Sequence, residues 1–121
     1  MTITLYGIPN CDTVKKARTW LTANGHDAQF HDFKKQGLER ATAAAWLTQI
    51  DWQTLVNRKG TTWRKLTDAQ KAAVIDNDSA LALMLETPSV IKRPVLAQDG
   101  ADGTTFSVGF SDAQYQQIFT K

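Results

Sequence analysis

One cysteine stands among the 121 residues, Cys11, in the stretch YGIPNCDTVKKA, where strand-like alternation gives way to helical spacing. A thiol at that junction is the N-cap or first residue of a helix. It lies beside backbone N–H groups that have no intrahelical acceptor, at the positive end of the helix dipole. Such a place suits a thiolate, the form of cysteine that attacks a disulfide sulfur, while a small, inert cysteine in an ordinary loop accounts for the spacing equally well. Lys15, one turn further on, favours the anion, and Asp12 opposes it. The usual dithiol redox motif needs a second cysteine at position 14, which is Val14 here, so disulfide chemistry must borrow its second thiol from another molecule. A single cysteine with the separated His26 and His31 does not give the ligand spacing of a zinc site, and no metal is expected.

Two other stretches carry groups that could act. NRKGTTWRK gathers Arg58, Lys59, Arg64 and Lys65 around Gly60 and Trp63, which suits an anion and equally suits a solvated loop. Arg93-Pro94 opens an apolar run. Pro94 cannot donate a ladder hydrogen bond there, and X-Pro is the peptide bond most often cis, although the start of an edge strand would account for it as well. His26, His31 and the four tryptophans Trp20, Trp46, Trp52 and Trp63 read as packing or surface residues.

The elements that must position these groups follow from periodicity. Ile3 and Leu5 alternate with Thr2 and Thr4 until Gly7 and Pro9 break the run, which predicts a strand over 2–7. Val14, Ala17 and Leu21 recur at helical spacing, predicting a helix from about residue 12 to 24 with Gly25 at its C-terminal cap. AQFHDF, residues 28–33, is a second strand. Residues 34–87 read as all-helical: LERATAAAWLTQI, then LTDAQKAAVI behind the capping box Thr67-x-x-Gln70, then SALALMLE with Asp78 as its cap. PVLAQ and TTFSVGF flank the turn-forming DGADG as a hairpin, and Ser111-x-x-Gln114 caps a closing helix with Tyr115, Ile118 and Phe119 on one face. The order is β-α-β, helices, β-β-α. This is an α/β fold with a core of residues 1–33 and 88–121 and a helical insertion over 34–87.

A hydrophobic share of 42%, 21% charged residues and a formal charge of +2 fit a folded domain and give no reason to expect nucleic acid or a membrane as partner. No run approaches the roughly 18 apolar residues of a membrane helix, and no leader-like segment opens the chain, so a cytoplasmic location is expected, with the chain as a monomer.

YGIPNCDTVKKARTWL, NRKGTTWRKL, LMLETPSVIKRPVL and GFSDAQYQQIF, in that order, resemble the arsenate reductase (ArsC)/Spx-like family, most closely its YffB-type branch. The resemblance implies a thioredoxin-like fold with a helical insertion, with Cys11 as nucleophile, Pro94 as a cis-proline facing it and Arg93 beside the sulfur. It implies a substrate site that draws on Asn10, Lys15, Arg58 and Arg64 as well as Pro94. The activity implied is that of a glutathione-dependent thiol-disulfide reductase working through a mixed disulfide at Cys11. Glutathione is then the co-substrate, no cofactor is tightly bound, and glutaredoxin or protein disulfides are further partners. Arsenate-reducing members use additional arginines at places that here correspond to Asn57 and Gly109, which argues against arsenate as substrate. A non-enzymatic Spx-like protein contacting RNA polymerase is the other alternative, and Val14 removes the Cys-x-x-Cys switch often found there.

Overall fold

Strand formation begins where the alternation begins. The computed structural model describes residues 2–120, and its elements run β1 (Thr2–Gly7), α1 (Asp12–Ala23), β2 (Ala28–Asp32), α2 (Arg40–Leu47), α3 (Trp52–Leu55), α4 (Thr61–Arg64), α5 (Asp68–Ala72), α6 (Asn77–Glu86), a 3-10 turn (Pro88–Val90), β3 (Val95–Gly100), β4 (Gly103–Val108) and α7 (Asp112–Phe119). They form two compact units. The first joins the residues up to Phe33 to those from Arg93 onward, and the second spans Lys34–Lys92.

In the first unit a four-stranded sheet has the order β2-β1-β3-β4. β1 and β2 are parallel, with Leu5 opposite Phe30, because α1 carries the chain back across the sheet between them. β3 runs antiparallel to both neighbours, with Leu5 opposite Leu96 and Ala97 opposite Phe106. Ile3, Leu5 and Leu96 from the sheet, Val14, Ala17 and Leu21 from α1, and Tyr115 from α7 make one buried cluster, so the two helices cover the same face. Gly7 sets how closely α1 approaches: a Cβ there would stand 2.8 Å from Val14 Cγ2. The hairpin turns at Ala101-Asp102, with Gly100 opposite Gly103 and Gly103 at φ +108°. The first Asp-Gly pair ends β3 and only the second makes the turn.

The second unit is helical, and α2 packs against α6 through buried Ala43, Trp46, Ala80, Leu81 and Met84. Three features differ from the sequence expectation or sharpen it. Asp76, not Asp78, caps α6: its carboxylate accepts from Ser79 N at 2.9 Å, while the Ser79 hydroxyl closes a reciprocal box on the Asp76 backbone. NRKGTTWRK, whose sequence suits a solvated loop and an anion-binding cluster alike, holds a single helical turn at Thr61–Arg64 with its four basic residues exposed. Residues 88–92, expected in the core, are bound to the helical unit. Val90 and Ile91 are buried, Asn57 N donates to Val90 O at 2.7 Å, Lys92 N donates to Leu55 O at 2.8 Å, and Val56 bridges Ile91.

Candidate functional site

The site is built at one end of the sheet. β1 leaves the sheet at Gly7, and Ile8, Pro9 and Asn10 lead to Cys11, which is the N-cap of α1 with extended backbone (φ −147°, ψ 121°). Its carbonyl accepts from Lys15 N at 2.9 Å, starting the helix. Its side chain makes no capping hydrogen bond, so the sulfur is not committed to the helix end. The thiol is free and half-buried against the core cluster. Ser, Thr, Asp or Asn are the residues that stabilise this position, and α5, α6 and α7 use them in Thr67, Asp76 and Ser111. A thiol where a cap belongs is a local departure of the kind expected at a working site.

β3 enters at the same end. Tyr6 pairs with Val95, so Pro94 lies level with the point where β1 ends. The Arg93-Pro94 bond is cis, and Pro94 is buried while Arg93 is half-exposed. Pro94 O accepts from Gly109 N at 2.8 Å, and Gly109, at φ +81°, turns the end of β4 toward α7. Register and connectivity thus bring residues 8–11, 93–94 and 109–111 to one edge. Of the residues singled out from sequence, Asn10, Cys11, Arg93 and Pro94 share this end, with exposed Lys15 one turn into α1.

Arg58, Lys59 and Arg64 belong to the helical unit. There the Arg58 guanidinium stands 5.9 Å from the Trp52 ring centre, and Arg64 Nε donates to Gly60 O at 3.4 Å. Asn57 Oδ1 accepts from Lys59 N at 3.3 Å, and a Cβ on Gly60 would meet Asn57 Nδ2 at 2.8 Å, so this stretch is a tight turn organised by Asn57. Sequence reasoning missed Phe110, which follows Gly109 and sets its ring 4.6 Å, edge to face, from that of Tyr115. It also missed Asp112, which accepts from Trp20 Nε1 at 2.8 Å. The Asp112 bond depends on α7 meeting α1, which no local pattern announces. No group of three His, Cys, Asp or Glu side chains could hold a metal ion among the described residues, and no helix among them is long and apolar enough to cross a membrane.

A mixed sheet with two helices on one face, a lone thiol at the first helix start and a cis-proline opening the neighbouring strand define a thioredoxin-like α/β protein with a helical insert. The chain belongs to the ArsC family, whose model matches residues 6–118. It is similar to an uncharacterized protein of Haemophilus influenzae, 42% identical over 117 residues that cover 97% of this chain and 98% of that one. Among solved structures, a YffB protein is 47% identical with a TM-score of 0.86, covering 96% of this chain and 97% of its own. An arsenate reductase (ArsC) related protein from Brucella melitensis is 48% identical with a TM-score of 0.75, covering 100% of this chain and 97% of its own.

Proposed function

We infer that the protein is a glutathione-dependent thiol-disulfide reductase that works through a mixed disulfide at Cys11. The observation that carries this reading is the uncapped, half-buried thiol at the start of α1, at the sheet end that also holds Arg93-Pro94. The Cys11 thiolate attacks one sulfur of a disulfide. A new S–S bond forms to Cys11, the old one breaks, and the other half leaves as a thiolate that takes up a proton. Without a second cysteine the mixed disulfide is resolved from outside. A glutathione thiolate attacks the substrate's sulfur in it, which frees Cys11 as its thiolate and leaves a glutathione-substrate disulfide. A second glutathione attacks the glutathione sulfur of that disulfide, and the substrate half leaves as a thiolate that takes up a proton. The two glutathione thiols, now one glutathione disulfide, have supplied the two electrons of the cycle. Arg93 is the positioning cation in this reading, a guanidinium suited to a carboxylate of glutathione or to the thiolate itself. Asn10 and Lys15 flank the thiol on the chain, and the proposal is carried without Arg58 and Arg64.

Incubation with oxidised glutathione followed by intact-mass measurement tests it. One glutathione is expected on the wild type, released by reduced glutathione, and none on Cys11→Ser. Arg93→Ala should form the adduct several-fold more slowly with its circular dichroism unchanged. A wild type that takes up no glutathione under conditions where free cysteine does so would sink the reading.

A further inference from the structure

Helix α1 carries two of its three cations toward the end where its own dipole repels them, the third, Arg18, lying mid-helix over the Phe30 ring. Lys15 and Lys16 lie in its opening turns, its last turn has no basic residue, and Asp12 is the one acidic residue in its first turn. Both lysines are exposed, and neither ammonium has a hydrogen-bond or ion-pair partner among the described residues. The two side chains stand at a groove of about 450 Å³ between α1 and the start of α7. Half-buried Trp20 and Phe110, with Ala23, give it an apolar lining. Its other polar groups are already engaged: the Thr19 hydroxyl donates to Lys15 O at 2.9 Å, Asn24 Nδ2 to Trp20 O at 2.8 Å, and Trp20 Nε1 to Asp112 Oδ1 at 2.8 Å. Two free cations therefore face one carboxylate that already accepts from Trp20 and Gln116.

Both walls begin at the thiol's end of the sheet. Lys15 is one turn from Cys11, and Phe110 follows the glycine whose N–H is bonded to Pro94 O. From Lys15 to Asn24 the groove runs about 13 Å, the length of about four extended residues. We propose that this groove docks the polypeptide bearing the disulfide on which Cys11 acts, in a segment whose acidic residues meet Lys15 and Lys16 and whose large apolar side chain rests on Trp20 and Phe110. The proposal rests on the thiol-exchange reading and names its substrate class. Glutathione alone can satisfy the lysines but brings no apolar side chain for the rest of the groove.

The probe is a synthetic peptide with one cysteine next to two acidic residues and a phenylalanine, joined to glutathione by a mixed disulfide. Cys11 attacks the glutathione sulfur, glutathione passes to Cys11 and the peptide leaves as its thiolate. Intact mass against time gives the rate, and bis(2-hydroxyethyl) disulfide serves as the small neutral control. The acidic-apolar peptide should react about tenfold faster than one with lysine and serine at those positions, two ion pairs and one apolar contact giving that order of preference at low salt. The advantage should fall below about threefold in Lys16→Glu and in Ala23→Arg, with the neutral disulfide reacting as in wild type, since losing exposed ion pairs and blocking the apolar lining remove only the preference. Equal rates for the two peptides in wild type would overturn the groove and leave the thiol-exchange reading standing. A serine-for-cysteine version of the acidic peptide, followed by the NMR shift of the Trp20 indole N–H, separates the other failure. Binding at Trp20 with an unreactive Cys11 would keep the groove and remove the reading. A sedimentation coefficient that rises with protein concentration and is reset by Lys16→Glu would show the groove filled by a second copy, which also overturns the proposal.

Discussion

Two side chains leave a place for a hydrogen bond unfilled among the described residues: Cys11, which does not cap α1, and Tyr115, whose buried hydroxyl has no partner. The N-cap of α1 makes no side-chain bond, so Cys11→Ser places an oxygen where a cap belongs. The variant should be more stable than wild type by about 0.5–1 kcal/mol in urea denaturation while taking up no glutathione. A destabilised serine variant would mean that the sulfur's packing against the core outweighs the missing cap. Tyr115 is fully buried, edge-to-face with Phe110 at 4.6 Å and with Trp20 at 5.5 Å. Its hydroxyl has no hydrogen-bond partner among the described residues, and burial pushes its pKa up. The folded state therefore keeps its proton at a pH where the unfolded chain loses it. Stability is unaffected below the unfolded value of about 10 and declines as the pH rises past it. Tyr115→Phe removes a hydroxyl that nothing satisfies, so it should be neutral or stabilising by up to about 1 kcal/mol at pH 7. Its advantage over wild type should widen at pH 11, and parallel pH profiles in urea titrations would show that Tyr115 ionises in place.

Which elements were legible from sequence follows the reach of the signals. β1 and α1 follow from alternation and helical spacing over consecutive residues, and the Thr67 and Ser111 caps from residues three apart. Gln114 completes only half of the second motif, because its amide donates to Val108 O at 3.2 Å rather than turning back to the cap. At α6 the sequence offers both Asp76 and Asp78. Ser79 decides between them: only from Asp76 does it stand at the third helical position, and its N–H and hydroxyl hold that carboxylate below its ordinary pKa. α3 and α4 are single turns, too short to nucleate alone or to show a period. The same limit applies to the site. Cys11 and Arg93-Pro94 could be singled out because residue type alone marks them, whereas the bond from Trp20 to Asp112 depends on two helices meeting across 92 residues of sequence.

Charge distribution over the molecule bears on which substrate the thiol can serve. A formal charge of +2 on 121 residues leaves little general field to hold an oxyanion, so arsenate would have to be held by cations placed for it. A thiolate attacking an oxyanion brings two like charges to bonding distance. At about 4 Å and an effective dielectric near 20, each opposing ion pair is worth about 4 kcal/mol before desolvation, so one missing cation costs orders of magnitude in rate. Gly109 occupies one of the two places where the family resemblance implies an arginine. Its φ of +81° and its N–H bond to Pro94 O fit a glycine that shapes the chain end, and it offers no side chain. Asn57, at the other place, carries no charge and is committed to its own turn, with its backbone N–H on Val90 and its side chain on Lys59 N. A disulfide sulfur is neutral and makes no such demand. With glutathione and a glutaredoxin supplied, arsenate turnover should therefore remain within about tenfold of the protein-free rate, while the same preparation forms and releases the Cys11 glutathione adduct. Arsenate reduction well above that level, abolished by Cys11→Ser, would show that other cations of this chain hold the oxyanion and would place arsenate ahead of disulfides as the substrate.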